Sequence, residues 1–358
     1  MRGAPTLGEV AELWLAERQA ALAPATVRVY RDATARLGDL RGLRLPAVTA
    51  ARLAARVAEL SQGGYSASSI NQSLRVVSQV FRWARRRLAL DVRDPVPDLG
   101  RVERPARRGP RRRVLTAGEV AALLGAAGER WRPLFWFAAA TGARLGEVLA
   151  LRWRDLDLEA GVCRIERQLT REGRECPPKT EAGERTVPLP GALVGELRAW
   201  RLRSPWSQPD DFVFASENGT PLDRSNVRRA FDRALGAARF PDGRPAFPEV
   251  FGAREGPKPT FHSLRHTAAS LMFAAGGSVT DVSRILGHAT PGVTLQVYAR
   301  WLDGRDHEAR RRDLVERASG GFAPRGPWPE ARGGASMEAL WKRYGSASAS
   351  TGGNRRER

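Results

Sequence analysis

Residues 286–300 read LGHATPGVTLQVYAR and carry His288 and Tyr298, from a chain of 358 residues with only four histidines and four tyrosines. A tyrosine oxygen can be a nucleophile. Its pKa of about 10 leaves it mostly protonated at neutral pH, a deficit of about 4 kcal/mol that neighbouring groups must make up. Three other stretches hold residues able to do that. In TGARLGEVLALRW, residues 141–153, Gly142 lets the chain turn and Arg144 falls in the first turn of a helix. The helix dipole disfavours a cation there by roughly a few tenths of a kcal/mol, a cost that an anionic ligand would offset. Glu147, three residues on, shares that face and is placed to orient the guanidinium. In PPKTEAGERTVPL, Lys179 sits in a polar turn ahead of a strand and is a titratable proton donor where arginine is not. In FHSLRHTAASLMFAAG, His262 and Arg265 pair a proton-handling ring with a two-pronged clamp suited to phosphate. Each also has an ordinary reading: a surface ion pair, an exposed turn lysine, capping or packing histidines, a half-buried tyrosine.

Helices must position these groups. The spacing of FHSLRHTAASLMFAAG gathers Leu264, Ala268, Leu271, Met272 and Ala275 within about 100° of helix surface, with Arg265 at the border and His262 and His266 well away from it. A helix from about Ser278 should bury Val279, Val282, Ile285 and Leu286 and stop at Gly287, leaving His288 on a turn. Thr290 and Pro291 then read as the cap and first residue of another helix. On it Val293, Val297 and Trp301 form the core stripe, and Tyr298 is offset by about 100°.

Upstream, the first hundred residues read as all-helical. Thr6 and Glu9 make a capping box, Pro24 opens a helix with Val27, Tyr30, Ala33 and Leu37 on one face, and SINQSLRVVSQVFRWARRRL aligns Ile70, Leu74, Val77, Phe81, Ala84 and Leu88. Arg75, Arg82 and Arg85 fall mainly off that stripe. Residues 101–113, RVERPARRGPRRR, lack apolar periodicity and read as an extended linker: a solvated hinge, or a strap along a phosphate backbone through Arg107, Arg108, Arg111 and Arg112. A second capping box, Thr116 to Glu119, opens a mixed region with helical patterns near 116–127, 129–140 and 144–152. Strand-like GVCRIERQL and RTVPLP follow, then helices near 190–203 and 223–237, a Pro/Gly-rich loop, and closely spaced helices from 262 to about 317. Beyond Ser319 the chain is rich in Gly, Ala, Ser and Pro and is expected to be a largely disordered tail with one helical candidate at 335–344.

The net charge of +20 and pI near 11.4 favour polyanionic partners, nucleic acid first. Of 59 basic residues only Lys179, Lys258 and Lys342 are lysine, so a single arginine says little. No apolar run reaches the roughly 18–20 residues of a membrane span, and MRGAPTLGEV lacks a signal-peptide core, so a soluble cytoplasmic protein is expected. Two cysteines without metal-ligand spacing argue against a disulfide framework or a zinc site.

Together, the Arg of TGARLGE, the Lys of PKT before a strand, HSLRH, LGH and a Tyr ten residues after that His resemble the tyrosine recombinases, the phage integrase family. The resemblance extends to about residue 318. It departs from the family at YAR, where many members have YxH, in the long 238–260 loop and in the tail. It implies a mainly α, multidomain fold: an all-α, SAM-like core-binding domain over 1–100, a linker over 101–113, and a mixed α/β, mostly helical catalytic domain over 114–318 with a small antiparallel sheet, the DNA breaking-rejoining fold. The tail is 319–358.

The same resemblance implies the chemistry. Tyr298 would attack a DNA phosphodiester to give a 3′-phosphotyrosyl intermediate. Arg144 and Arg265 would hold the non-bridging oxygens, Lys179 would protonate the leaving 5′ oxygen, His262 would act as base or orienting group, His288 would donate a hydrogen bond to the phosphate, and Glu147 would support them. The implied enzyme needs no cofactor, neither metal nor ATP. Its implied partners are double-stranded DNA bearing recombination sites, three further copies of itself and an accessory DNA-bending protein, in a nucleoid-associated setting. Competing readings are a chromosome-dimer resolving recombinase, a type IB topoisomerase, an inactive DNA-binding relative and a basic RNA-binding scaffold.

Overall fold

Local capping and apolar periodicity build the first helices. The computed structural model describes residues 4–100, 104–105, 113–178, 180–252, 257–290, 292 and 295. Helix α1 spans Leu7–Gln19, where Thr6 Oγ1 accepts from the Glu9 amide at 3.2 Å and the Glu9 carboxylate accepts from the Thr6 amide at 2.8 Å. Pro24 is the first residue of α2 (Pro24–Ala35), followed by α3 (Ala50–Gln62) and α4 (Ala67–Arg87). Their apolar faces close over one core that includes Trp14, Ala33, Leu37, Ile70, Leu74, Val77 and Phe81, with Val27 and Tyr30 packed at its edge. Leu88 departs from the expected stripe: α4 ends at Arg87, Leu88 becomes the cap residue, and its side chain is exposed.

A second core is built by α5 (Ala117–Ala126), α6 (Arg132–Thr141), α7 (Leu145–Leu149), a small sheet, α8 (Gly191–Arg203), α9 (Arg224–Ala237) and α10 (Phe261–Ala274). α11 (Val279–Leu286) packs on the outer side of α10 through Ala269, Phe273, Val282 and Leu286. α5 opens on the Thr116/Glu119 capping box. The sheet is antiparallel in the order β1 (Leu156–Asp157), β2 (Val162–Ile165), β5 (Arg185–Pro188), while β3 (Gln168–Leu169) and β4 (Glu175–Cys176) form a separate pair. GVCRIERQL is therefore two strands, because its ladder partner changes from β5 to β4 between Ile165 and Gln168. The register sets Cys163 opposite Val187 and Ile165 opposite Arg185. Mainly helical architecture with a small antiparallel sheet is what the sequence led us to expect.

Two helices differ from their periodicity. α7 covers five residues rather than nine, because the chain after it gives its backbone to the 209–213 segment: the Val213 amide donates to Leu151 O at 2.9 Å and the Trp153 amide to Asp211 O at 3.1 Å. At the other end Arg144, with an extended backbone (φ −71°, ψ 148°), caps the helix from outside instead of lying in its first turn. α10 is buried on almost every side from Ser263 to Ser270, while Leu271 and Ala275 of the expected stripe are exposed. It is wedged between α6 and α11, so packing from two directions overrides a single apolar face. Small and polar residues, Ser263, Thr267, Ala268, Ala269 and Ser270, let the neighbours approach, and Thr267 Oγ1 accepts from the Leu115 amide at 2.9 Å.

Among the described residues no helix is long and apolar enough to cross a membrane, and no group of three or more His, Cys, Asp or Glu is gathered as a metal site. Cys163 and Cys176 are free thiols. Lys179, Tyr298, Arg107, Arg108, Arg111 and Arg112 lie outside the described residues, as do most of the expected linker, the helix expected after Thr290, the rest of the helical stretch expected to about 317 and the tail.

Candidate active site

The site is built where the ends of α6 and α11 meet α10. α6 stops at Gly142, which turns in the left-handed region with φ 65°, and α11 stops at Gly287 in the same region with φ 66°. Both turns leave helix-end carbonyls without intrahelical donors, and buried carbonyls demand partners. Arginines supply them. Arg265, 4 % exposed, donates Nη1 to Gly142 O and Nη2 to Leu286 O, each at 2.7 Å, so one guanidinium ties the two helix ends together. Arg144, half-buried, donates Nη2 to Gly287 O at 3.2 Å and Nη1 to Glu147 Oε1 at 2.7 Å.

Glu147 is the carboxylate of the cluster, with its side chain 1 % exposed. Its second oxygen accepts from the Arg144 amide at 2.9 Å and from Nη2 of Arg185 at 2.9 Å. Burial favours its acid form, but the hydrogen bond and charge of Arg185, then those of Arg144, outweigh it and hold the pKa below the ordinary carboxylate range. Two guanidiniums thus bond one carboxylate, and the charge of a third, Arg265, is felt beside it. A surplus of buried positive charge is an arrangement that favours an anion.

The electrostatics of the neighbours record that surplus. Burial, then the charges of Arg144 and Arg185 against the favourable Glu147, lowers the Arg265 pKa to about 9, which still leaves it cationic at neutral pH. His288 follows Gly287, with its amide donating to Ser283 O at 3.1 Å. Burial first, and then Arg265, Arg144, Arg185 and His262, push its pKa down to about 4, so the ring is neutral at pH 7 and can offer a single N–H. His262, one turn before Arg265 on α10, is exposed and meets the buried His266 edge to face, with ring centroids 4.7 Å apart.

Of the residues singled out for chemistry, Arg144, Glu147, Arg265 and His288 come together here, with His262 alongside on α10. Arg75, Arg82 and Arg85 belong to the other core's helix α4, where all three are exposed. Arg75 and Arg82 line a cleft of about 370 Å³ with Asn71, Ser78, Gln79 and Arg104. Sequence reasoning overlooked Arg185. In RTVPLP, strand alternation sets it on the same face as buried Val187, and an arginine at an inward strand position was the signal available.

The profile of the phage integrase family matches residues 113–305. The chain is 29% identical over 318 residues to a putative prophage phiRv2 integrase of Mycobacterium tuberculosis, covering 86% of this chain and 77% of that one. It is 29% identical over 194 residues to a tyrosine recombinase XerC-like protein of Caldanaerobacter subterraneus subsp. tengcongensis, covering 48% of this chain and spanning only 46% of that relative's length. The fold is similar to that of the Tn1549 transposon integrase in complex with a circular intermediate DNA, with a TM-score of 0.71 at 19% identity, covering 86% of this chain and 99% of that one. The guanidinium cluster at the junction of α6, α10 and α11 lies within the matched span, and the chain belongs to the phage integrase family, the tyrosine-type site-specific recombinases.

Proposed function

We propose that this chain cuts and rejoins double-stranded DNA at specific sites to integrate or excise a phage or other mobile element. The observation that carries the reading is the convergence of Arg144, Arg185 and Arg265 on the single carboxylate Glu147 and the carbonyls of Gly142, Leu286 and Gly287. Such a cluster suits a phosphodiester that gains negative charge as it is attacked. Donors preset for that charge contribute about 3 kcal/mol each in comparable sites.

In this reading Tyr298 Oη attacks phosphorus, the bond to the 5′ oxygen breaks, and a 3′-phosphotyrosyl link forms. Arg144 and Arg265 hold the non-bridging oxygens. Lys179 gives its proton to the departing 5′ oxygen, neutral His288 donates to a phosphate oxygen, and His262 orients the nucleophile or receives its proton. The reverse attack by a 5′-hydroxyl from another strand completes the exchange, because the phosphotyrosyl bond preserves the energy of the bond it replaced.

The working organisation is a core-binding domain over 1–100, a linker over 101–113, a catalytic domain over 114–318 and a tail over 319–358. Arg75, Arg82 and Arg85, with Arg107, Arg108, Arg111 and Arg112 of the linker, contact DNA phosphates. Four protomers assemble on two sites, helped by an accessory DNA-bending protein, in the cytoplasm at the nucleoid. Similarity to the phiRv2 prophage integrase across 86% of the chain supports the mobile-element role. Similarity to a XerC-like recombinase supports resolution of chromosome dimers as the second reading. Incubating the protein with DNA flanking its gene and mapping the covalent junction tests both: joining of two different sites supports integration, while recombination of two identical chromosomal sites supports resolution.

A further inference from the structure

Arg185 heads β5, and the strand's alternation turns its side chain to the core face beside Val187, where it is 5 % exposed. Burying a guanidinium is costly unless its donors are met in good geometry. Here they are met by three separate elements. Nη2 donates to Glu147 Oε2 of α7 at 2.9 Å, Nε to Ile285 O in the last turn of α11 at 2.7 Å, and Nη1 to Gly183 O in the turn before β5 at 2.8 Å. One planar group therefore joins the sheet edge to the two helices, α7 and α11, that carry the anion-binding cluster.

The approach is close. A Cβ on Gly287 would lie 2.7 Å from Ala182 O and 2.8 Å from Arg185 Nη1, so the end of α11 rests on β5 with no room for a side chain. Glu147 divides its two oxygens: Oε1 takes the Arg144 guanidinium, and Oε2 takes Arg185 with the Arg144 amide. Without Arg185 the carboxylate would lose the partner that fixes its plane, and the orientation of Arg144 would go with it.

We propose that Arg185 is a positioning residue of the recombinase site: by holding Glu147 and the end of α11 at once, it presets Arg144 and the His288 turn for the scissile phosphate. This rests on the functional reading above. Each of the three Arg185 nitrogens already donates to a protein acceptor, and the residue acts through the groups it holds. Lysine cannot replace it, because a single ammonium on a flexible stem does not span three acceptors in one plane.

The test uses the full chain and a nicked duplex of its mapped recombination site, which traps the covalent adduct. Arg185→Gln and Arg185→Lys are compared with wild type for DNA half-saturation and, separately, for adduct rate at saturating protein. Half-saturation should stay within about threefold, while the adduct rate falls about 100-fold for Gln and at least about 10-fold for Lys, the split expected when an interaction acts in the transition state. Because Arg185 dominates the hydrogen bonding that keeps buried Glu147 ionised, the acid limb of the rate profile of Arg185→Gln should move to higher pH. The double variant Glu147→Gln/Arg185→Gln should be no slower than Glu147→Gln alone. A merely structural arginine would lower thermal stability while leaving the saturated rate of the folded fraction and the acid limb unchanged, and that outcome overturns the proposal. If Arg185→Gln does not fold, Arg185→Lys decides by the same rate comparison, and a wild-type rate there overturns it equally. Wild type forming no Tyr298-dependent adduct would instead overturn the functional reading beneath it.

Discussion

Gly142 and Leu286 meet so closely that a Cβ on the glycine would overlap Leu286 Cδ2. The left-handed φ of 65° and the lack of a side chain are both needed where α6 ends against α11. Gly142→Ala should cost about 2–4 kcal/mol in chemical denaturation, from backbone strain and overpacking together. Pushing the two helix ends apart also separates the carbonyls that Arg265 spans, so adduct formation should fall by more than the loss of folded protein. Wild-type stability would show that the two ends do not touch.

Glu147 is the buried counterion of half-buried Arg144 and buried Arg185, and its removal leaves both uncompensated. Glu147→Ala is expected to destabilise by about 3–5 kcal/mol, the usual cost of breaking one side of a buried ion pair. The pH dependence follows from its lowered pKa. Below the ordinary carboxylate value of 4.5 the unfolded chain takes up the proton first, so the stability contributed by ionised Glu147 is present above that pH and is lost as pH falls through the lower folded value. Urea titrations between about pH 3 and 5 should be flatter for Glu147→Gln than for wild type.

His288 gives a second pH window with the same sign. Its folded pKa of about 4 lies below the ordinary 6.5, so between those values the unfolded state binds more protons and stability rises with pH. NMR titration of the ring should show a midpoint near pH 4 in free protein, moving upward when a phosphodiester of DNA supplies negative charge beside it. A midpoint near 6.5 in free protein would mean that the ring is not within the guanidinium cluster.

Much of this was legible in sequence where the determinants are local. The capping boxes at Thr6 and Thr116, the proline start at Pro24 and the glycine stop at Gly287 fix their helix ends through neighbours within four residues. The pairing of Arg144 with Glu147 was legible too, because residues three apart at a helix start share a face. What failed depended on distant chain. α10 hides serines and threonines and exposes Leu271 because α6 and α11 close on it from two sides. α7 is short because residues 209–213 compete for its backbone. Arg185 was passed over among so many arginines, although strand alternation already turned it inward; its acceptors on α7 and α11 lie 38 and 100 residues away in sequence.

Arg75 and Arg82 stand seven residues apart, two helical turns, on the exposed side of α4. If they neutralise phosphates, Arg75→Gln/Arg82→Gln should weaken binding to all DNA sequences and reduce the slope of log K against log salt by about 0.9 for each phosphate no longer neutralised. The adduct rate at saturating protein should be unchanged. An unaltered salt slope would assign DNA binding to other surfaces.

In the proposed reaction Tyr298 becomes covalently joined to DNA. The decisive measurement is denaturing electrophoresis of the full chain after incubation with a nicked duplex of its own recombination site, followed by peptide mapping of the adduct. A 3′-phosphotyrosyl link at Tyr298 is expected in the wild-type chain and none with Tyr298→Phe. An adduct that survives Tyr298→Phe, or a mapped site with no adduct in the wild-type chain, would contradict that reaction.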